Sequence, residues 1–589
     1  MLTTRRVSMA NIKTFFKEMT DGLKSRQISN WSDISNYLDE AAKRSESLAA
    51  EEKDLRKLFQ KGAAFITYDF GIDGVSIEIF KYAQCLEKII DGIPLHFIGG
   101  DFYDKADVVL KPYWKRFEID GINGWSKWDD GKWFSKLYYE DMPEGSAVSD
   151  EMAVEMWKQA SCFAEKLGGY LAENDINLLI PVNIPTNPGN FAAMLAIIIA
   201  TENLGTYVIS SNHDYYWEGG KPECEKEPGE EPGVRDHFFK NYDNKSFFSL
   251  FKRMYPWNGK RWLQVNINTP QSEALVEKFG FAKDRVYELG TAISDKFFEA
   301  FDAEDVKSVR KRMAYILSDG KPTIDTVPIK KHLADLSSWM TNQKPIACGY
   351  SSNLILDPTK NKTIYCLQPT RVIARKRIEM DLHLLKALMN CETFRLQFEK
   401  ESYQLVLHIT GPVPIEHQED LETVLNAYIN LCESLPESIA KRIFITFSVG
   451  TENHPSFAKN NLEPLCIEEI YRLATLILFP SETEGRGLPI VESSACGIPI
   501  VCSRYFPEEV FAEVVGEKLA DEKQIKYVLF PEPDAGFSDS CLDAVSDLML
   551  CPEKSQELIK HNKKAVKLRY STEMIKKKFE EFITRLETV

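Results

Sequence analysis

Short runs of β-branched and aromatic residues, each closing on Gly, Pro or a polar residue, recur along this chain, and helix-like segments separate many of them. The early runs are AAFITY (63–68), LHFIGG (95–100), INLLIPVNIP (176–185) and TYVISSNHD (206–214). The later ones are RVYELG (285–290), TIYCLQPTR (363–371), YQLVLHITG (403–411), RIFITFSVG (442–450), LATLILFPS (473–481) and IPIVCSR (498–504). A continuous apolar run, with no alternation of apolar and polar residues, is a strand covered on both faces, as in a parallel sheet under helices. The fold class expected is therefore α/β. In such sheets ligands gather beyond the carboxyl ends of the strands, so the residues just after each run are the first to inspect.

A chain of 589 residues exceeds one ordinary core, and two or more domains are expected. Residues 1–60 are rich in Lys, Glu, Ser and Ala, with Phe15, Phe16, Met19 and Leu23 at helical spacing, and are expected as a helical extension decorating the main fold. Residues 61–300 and 358–565 hold the strand–helix alternation and are expected as two domains. Residues 301–357 carry few strand signals and are expected as a linker or insertion. The segment 218–244 is polar and rich in Pro and Gly and reads as a long surface loop. Residues 111–140 are dense in Trp and Tyr, which is more simply loop-core packing than a sugar platform. Glu78 and Glu379 read as ordinary helix charges.

The formal charge of −16 disfavours nucleic acid and anionic lipid as partners, because phosphate is repelled at long range. The most apolar stretch, FAAMLAIIIA (191–200), falls short of the ~20 residues a spanning helix needs. No membrane span is expected, peripheral attachment stays open, and the stretch reads as a buried helix. The 12 cysteines form no C-x-x-C pair, which suits reduced thiols in a cytoplasmic protein and argues against cysteine-ligated zinc.

Two segments carry chemistry. In FPSETEGRGLPIVESSACGIPIVCSR (479–504) a strand stops at Pro480, a glycine turn follows through Glu484, Gly485, Arg486 and Gly487, and a helix begins near Pro489 and ends at Gly497. A helix start after a glycine turn offers free N–H groups and a positive dipole end to an anion such as diphosphate. Glu484 in the turn and Glu492 in the helix are spaced as two separate hydroxyl binders. In IYCLQPTRVIARKRIE (364–379) a strand ends at Gln368-Pro369, and Arg371, Arg375, Lys376 and Arg377 follow within seven residues. Four cations in an acidic protein call for an anion.

The first segment resembles the E-x7-E region of retaining GT-B glycosyltransferases, the group of sucrose synthases, bacterial mannosyltransferases and trehalose-forming transferases. It matches their pattern at Pro480, Ser481, Glu484, Gly485, Gly487, Leu488, Pro489, Glu492, Ala495, Gly497 and Pro499, and departs at Arg486 and Ser493. The second resembles the group's G-R-x-x-x-x-K-G element, with Arg371 and Lys376 at the family spacing. More loosely, FGIDGVS (70–76) looks like the first glycine loop, with Gly71 and Gly74, and SNHDYYWE (211–218) like the His-Asp element, with His213.

The resemblance implies a GT-B fold, two doubly wound Rossmann-like domains facing a cleft, with a C-terminal helix (566–589) packing back on the N-terminal domain. It implies a nucleoside diphosphate sugar as donor and a sugar or other hydroxyl as acceptor, with transfer of a hexosyl group in retention. Arg371 and Lys376 would neutralise the leaving diphosphate, Glu484 would hold the donor sugar and Glu492 the ribose. Gly487 and Leu488 would present N–H groups to the diphosphate beside Gly485 and Arg486, Gly71 and Gly74 would line the cleft, and His213 would reach the donor sugar. No D-x-D triplet occurs, so no cofactor and no metal are expected. The alternatives weighed are a reversible disaccharide synthase or phosphorylase of the same fold, and a non-catalytic nucleotide-sugar-binding protein.

Overall fold

The computed structural model describes residues 20–48, 54–71, 74–103, 106–217, 240–291, 293–318, 320–321, 323–360, 362–413, 417–448, 455–531 and 535–588. The chain divides into two compact units, Met1–Ala292 with Thr572–Val589, and Ile293–Ser571.

The first unit is built on a seven-stranded sheet. Its strands are β1 (Ala63–Ile66), β2 (Leu95–Gly99), β3 (Lys115–Glu118), β4 (Leu178–Pro181), β5 (Tyr207–Asn212), β6 (Trp262–Asn266) and β7 (Val286–Glu288). Their order is β3-β2-β1-β4-β5-β6-β7, and every neighbouring pair is parallel. This is doubly wound topology with its switch point between β1 and β4. Five of the seven strands, β1, β2, β4, β5 and β6, are buried at every residue, the polar Ser210, Ser211 and Asn212 of β5 and Gln264 and Asn266 of β6 included.

The apolar stretch of the sequence is α4 (Phe191–Leu204), which follows α1 (Trp31–Ser47), α2 (Gly74–Ile89) and α3 (Ala147–Glu173). Every residue of α4 from Phe191 to Asn203 is buried, and no described helix is long and apolar enough to cross a membrane. The N-terminal segment departs from the expected decoration. Trp31 on α1 is 1 % exposed, lies edge-on to Phe191 at 5.5 Å and donates its indole N–H to the Ser149 hydroxyl at 3.0 Å. Phe15, Phe16 and Met19 lie outside the described residues, as does most of the 218–244 loop. Among the aromatics of 111–140, Trp114, Trp128 and Tyr138 are buried, while Tyr113 and Tyr139 are exposed. Glu78 is no surface charge: it is buried on α2, bonded to the Thr291 hydroxyl and paired with Lys81 at 3.2 Å.

The second unit holds an eight-stranded sheet. Its strands are β8 (Val327–Pro328), β9 (Ile346–Gly349), β10 (Thr363–Gln368), β11 (Gln404–Ile409), β12 (Ile443–Phe447), β13 (Leu476–Phe479), β14 (Ile500–Cys502) and β15 (Val528–Leu529). The order is β8-β9-β12-β11-β10-β13-β14-β15. All neighbours run parallel except β9 and β12. The six strands from β10 onward repeat the doubly wound order, with the switch point between β10 and β13.

Residues 301–357 are therefore not a linker. They supply β8 and β9 to this sheet, and Ile329, Leu336 and Met340 to its core. Their strands are too short and too mixed for periodicity to reveal. The C-terminal boundary falls at Thr572: α9 (Thr572–Leu586) belongs to the first unit, where Phe579 lies 5.4 Å from Tyr82 of α2, and the preceding α8 (Gln556–Tyr570) belongs to the second.

Three histidines are buried neutral. His96 on β2 faces the Tyr170 hydroxyl at 2.9 Å, His408 on β11 lies between Thr446 at 2.6 Å and Ser448 at 2.8 Å, and His332 packs edge-on to Trp339 at 5.3 Å. Burial lowers His96 and His332 to about 4 and His408 to about 3. Unfolded imidazole protonates near 6.5, so the unfolded chain binds protons that the native chain refuses. Their stabilisation is complete above that pH and is lost as pH falls toward the folded values. Each is expected to remove about 2 kcal/mol between pH 7 and pH 5. Urea unfolding of the wild-type chain and of His408→Asn at both pH values checks this, and an equal fall in midpoint for the two would contradict it.

Candidate functional site

The two segments singled out in the sequence end on neighbouring strands. β10 runs into Arg371–Lys376 and β13 into Glu482–Gly487, so both loops leave the sheet at the switch point, where the flanking connections diverge and open a crevice. Backbone bonds then lace the loops together. The Glu482 N–H donates to the Arg375 carbonyl at 2.9 Å, and the Arg375 guanidinium donates to the Thr483 carbonyl at 2.6 Å. The loop after β14 joins in: the Glu484 N–H donates to the Phe506 carbonyl at 3.0 Å, and the Phe506 N–H to the Glu482 carbonyl at 2.7 Å.

At the centre, Lys376 Nζ pairs with Glu484 Oε1. Their side chains are 8 % and 12 % exposed. Burial pulls the Lys376 ammonium below the ordinary lysine range; Glu484 opposes that shift, while Arg375 and Arg371 add to it. Arg371 stands exposed at the end of β10. Lys376 is thus held by the acid of the other loop.

The helix after the glycine turn is α7 (Leu488–Cys496), lying between the ranges of α5 (Glu379–Asn390) and α6 (Gln418–Glu433) on one side and α8 on the other. Gly487 is its N-cap at φ +58°, and no described side chain caps it; Pro489 carries no N–H, and the Ile490 N–H donates to the Gly487 carbonyl at 3.0 Å. A Cβ on Gly487 would fall 2.3 Å from the Tyr505 hydroxyl, so both backbone angle and space demand glycine. Two buried hydroxyls beside this turn, Ser481 Oγ and Tyr505 OH, find no hydrogen-bond partner among the described residues. Arg486 is part of the same turn. Glu492, on α7, accepts from the buried Tyr471 hydroxyl at 2.6 Å. That bond uses one carboxylate oxygen and fixes the side chain.

Sequence reasoning missed several supports. Gly411, after β11, lies against the Thr370–Arg371 backbone so closely that a Cβ would fall 2.0 Å from the Thr370 carbonyl oxygen. Asp420 on α6 accepts from the Ala374 N–H at 2.8 Å and from His417 at 2.7 Å, which anchors the turn before Lys376. Asp381 on α5 is fully buried against Gln368, and burial raises its carboxyl well above the usual range. Burial also raises Glu379, at the start of α5, which had been read as an ordinary helix charge. No local pattern marks these positions; each follows from which loops cross.

The remaining candidates lie in the first unit. His213 follows β5, is 8 % exposed, and its Nε2 is 3.3 Å from the Ser211 hydroxyl, while its carbonyl accepts from Gln271 at 3.0 Å. Asp214 is held by Asn183, side chain to side chain at 3.1 Å and backbone to side chain at 3.0 Å. The Gly71 N–H donates to the Ser76 hydroxyl at 3.2 Å, and Gly74 begins α2 with open space around it.

Residues 450–565 match the family glycosyl transferases group 1. The second unit thus carries a group 1 segment, which includes Glu484, Gly487, Leu488 and Glu492 and begins beyond Arg371 and Lys376. No curated protein matches the chain. Similar solved structures include HepE from Anabaena in complex with UDP and glucose, at 10% identity and TM-score 0.47, covering 89% of this chain and 99% of that one. Sucrose-phosphate synthase from Thermosynechococcus elongatus is 13% identical at TM-score 0.45, covering 89% and 98%. The catalytic domain of starch synthase IV from Arabidopsis thaliana, bound to ADP and acarbose, is 12% identical at TM-score 0.45, covering 90% and 99%.

Proposed function

We propose that this chain is a retaining glycosyltransferase that moves a hexosyl group from a nucleoside diphosphate sugar to an acceptor hydroxyl. The observation that carries the reading is the meeting of Lys376 and Glu484 beside the uncapped start of α7 at the sheet's switch point. Cations and helix N–H groups suit a diphosphate, and a carboxylate beside them suits the hydroxyls of the sugar it carries.

In this reading Arg371, Lys376 and the N–H groups around Gly487 and Leu488 stabilise the charge that grows on the departing diphosphate. Glu484 orients the sugar, and Glu492, steadied by Tyr471, holds the ribose. The departing phosphate oxygen takes the acceptor proton on the same face, which gives retention without a protein nucleophile. The protein then contributes position and electrostatics. The cationic side chains do the work a divalent metal does elsewhere, so no metal is required. His213, Gly71 and Gly74 enter the proposal on the family resemblance alone, and a cytoplasmic setting on a sequence without a C-x-x-C pair.

The test is donor cleavage by the EDTA-treated protein, with UDP-, GDP- and ADP-linked glucose and mannose offered separately. One donor should be cleaved above background, with the sugar released or transferred in its original anomeric configuration. Inversion, no cleavage of any of them, or activity only with added Mn²⁺ or Mg²⁺ would each count against the proposal.

A further inference from the structure

The Lys376–Glu484 ion pair makes each group the other's counter-ion. Both side chains are nearly enclosed, and the bonds among Arg375, Glu482, Thr483 and Phe506 hold their loops face to face. A diphosphate that engages Lys376 competes with Glu484 for it. With a sugar attached, Glu484 regains partners in the sugar hydroxyls. With the sugar gone, Glu484 is left as an enclosed carboxylate with no cation, the costly state for a buried charge.

We propose that Glu484, beyond orienting the sugar, acts as an internal competitor for Lys376, so that the site discriminates against the bare nucleoside diphosphate and favours its release once the sugar has left. This rests on the donor-site reading above. The two carboxylate roles are opposite in sign, which makes them separable. A residue that only oriented sugar would leave affinity for the sugar-free nucleotide unchanged when altered, and one that only supported the fold would weaken it.

The experiment is calorimetric titration of UDP, GDP and ADP, each without sugar, into the wild-type chain and Glu484→Gln, with thermal unfolding run on both. Glu484→Gln should bind the preferred nucleotide about tenfold more tightly, although it transfers sugar more slowly. In the Lys376→Met background the same change should give no tightening, since the competition has nothing left to compete for. Should glutamine prevent folding, Glu484→Ala removes the same charge and carries the same expectation. Equal or weaker nucleotide binding by a folded Glu484 variant, or tightening that persists in Lys376→Met, overturns the competition and leaves the donor site standing. Failure of all three nucleotides to bind either form overturns the donor site with it.

Discussion

Replacing Lys376 with alanine is expected to lower turnover about 10²–10³-fold, the usual consequence of removing one preorganised charge from a site where charge develops in the transition state. The lysine is poised for that part: it is enclosed, it follows β10 at the switch point, and burial holds its pKa below the lysine norm. The structure adds a stability effect that the sequence does not suggest. Alanine strands the Glu484 carboxylate, at 12 % exposure, without its cation. A cost of about 2–3 kcal/mol is expected, somewhat below that of breaking a fully enclosed pair. Lys376→Ala combined with Glu484→Gln should restore the stability and leave turnover low, because the stranded charge is gone and the missing cation is not replaced. Steady-state kinetics and thermal unfolding on the three forms decide it. Wild-type turnover in Lys376→Ala would remove the lysine from the mechanism.

Gly411→Ala should be as damaging, although the residue touches no substrate in the proposal. Its Cβ would fall 2.0 Å from the Thr370 carbonyl oxygen, 2.2 Å from its carbon and 2.4 Å from the Arg371 nitrogen. All three are backbone atoms, so no side-chain rotation relieves the contact. The loops after β10 and β11 cross here, pinned on either side by Thr410 N–H to the Gln368 carbonyl at 3.2 Å and Val372 N–H to the Pro412 carbonyl at 3.1 Å. Forcing them apart should destabilise the second unit by about 3 kcal/mol, the upper end of overpacking. It should also move Arg371 and Lys376 by enough to cost about 10²-fold in turnover. Gly485→Ala is the comparison: nothing lies within 4 Å of its Cβ position and its φ is ordinary, so its melting temperature should match wild type. A Gly411→Ala protein that melts and turns over normally would show that the crossing has room to give.

The α/β class, most of the strand positions outside β3, β6, β8, β9 and β15, and the run from Glu484 to Pro499 were legible in the sequence, because each is a local property. An unbroken apolar run marks a strand covered on both faces, and a glycine turn before a helix that stops at a glycine can be read within one segment. Residues 301–357 were misread for the complementary reason: β8 is two residues long and β9 four, too short to impose a period. Tertiary structure alone decided which strands are neighbours, and hence that loops 108 residues apart bring Lys376 onto Glu484. It also decided that Gly411 lies under Thr370, that Tyr471 steadies Glu492, and that Glu78 is buried. Adjacency in a sheet and the crossing of loops depend on how distant segments pack, and a hydrophobic period carries no record of which neighbour it packs against.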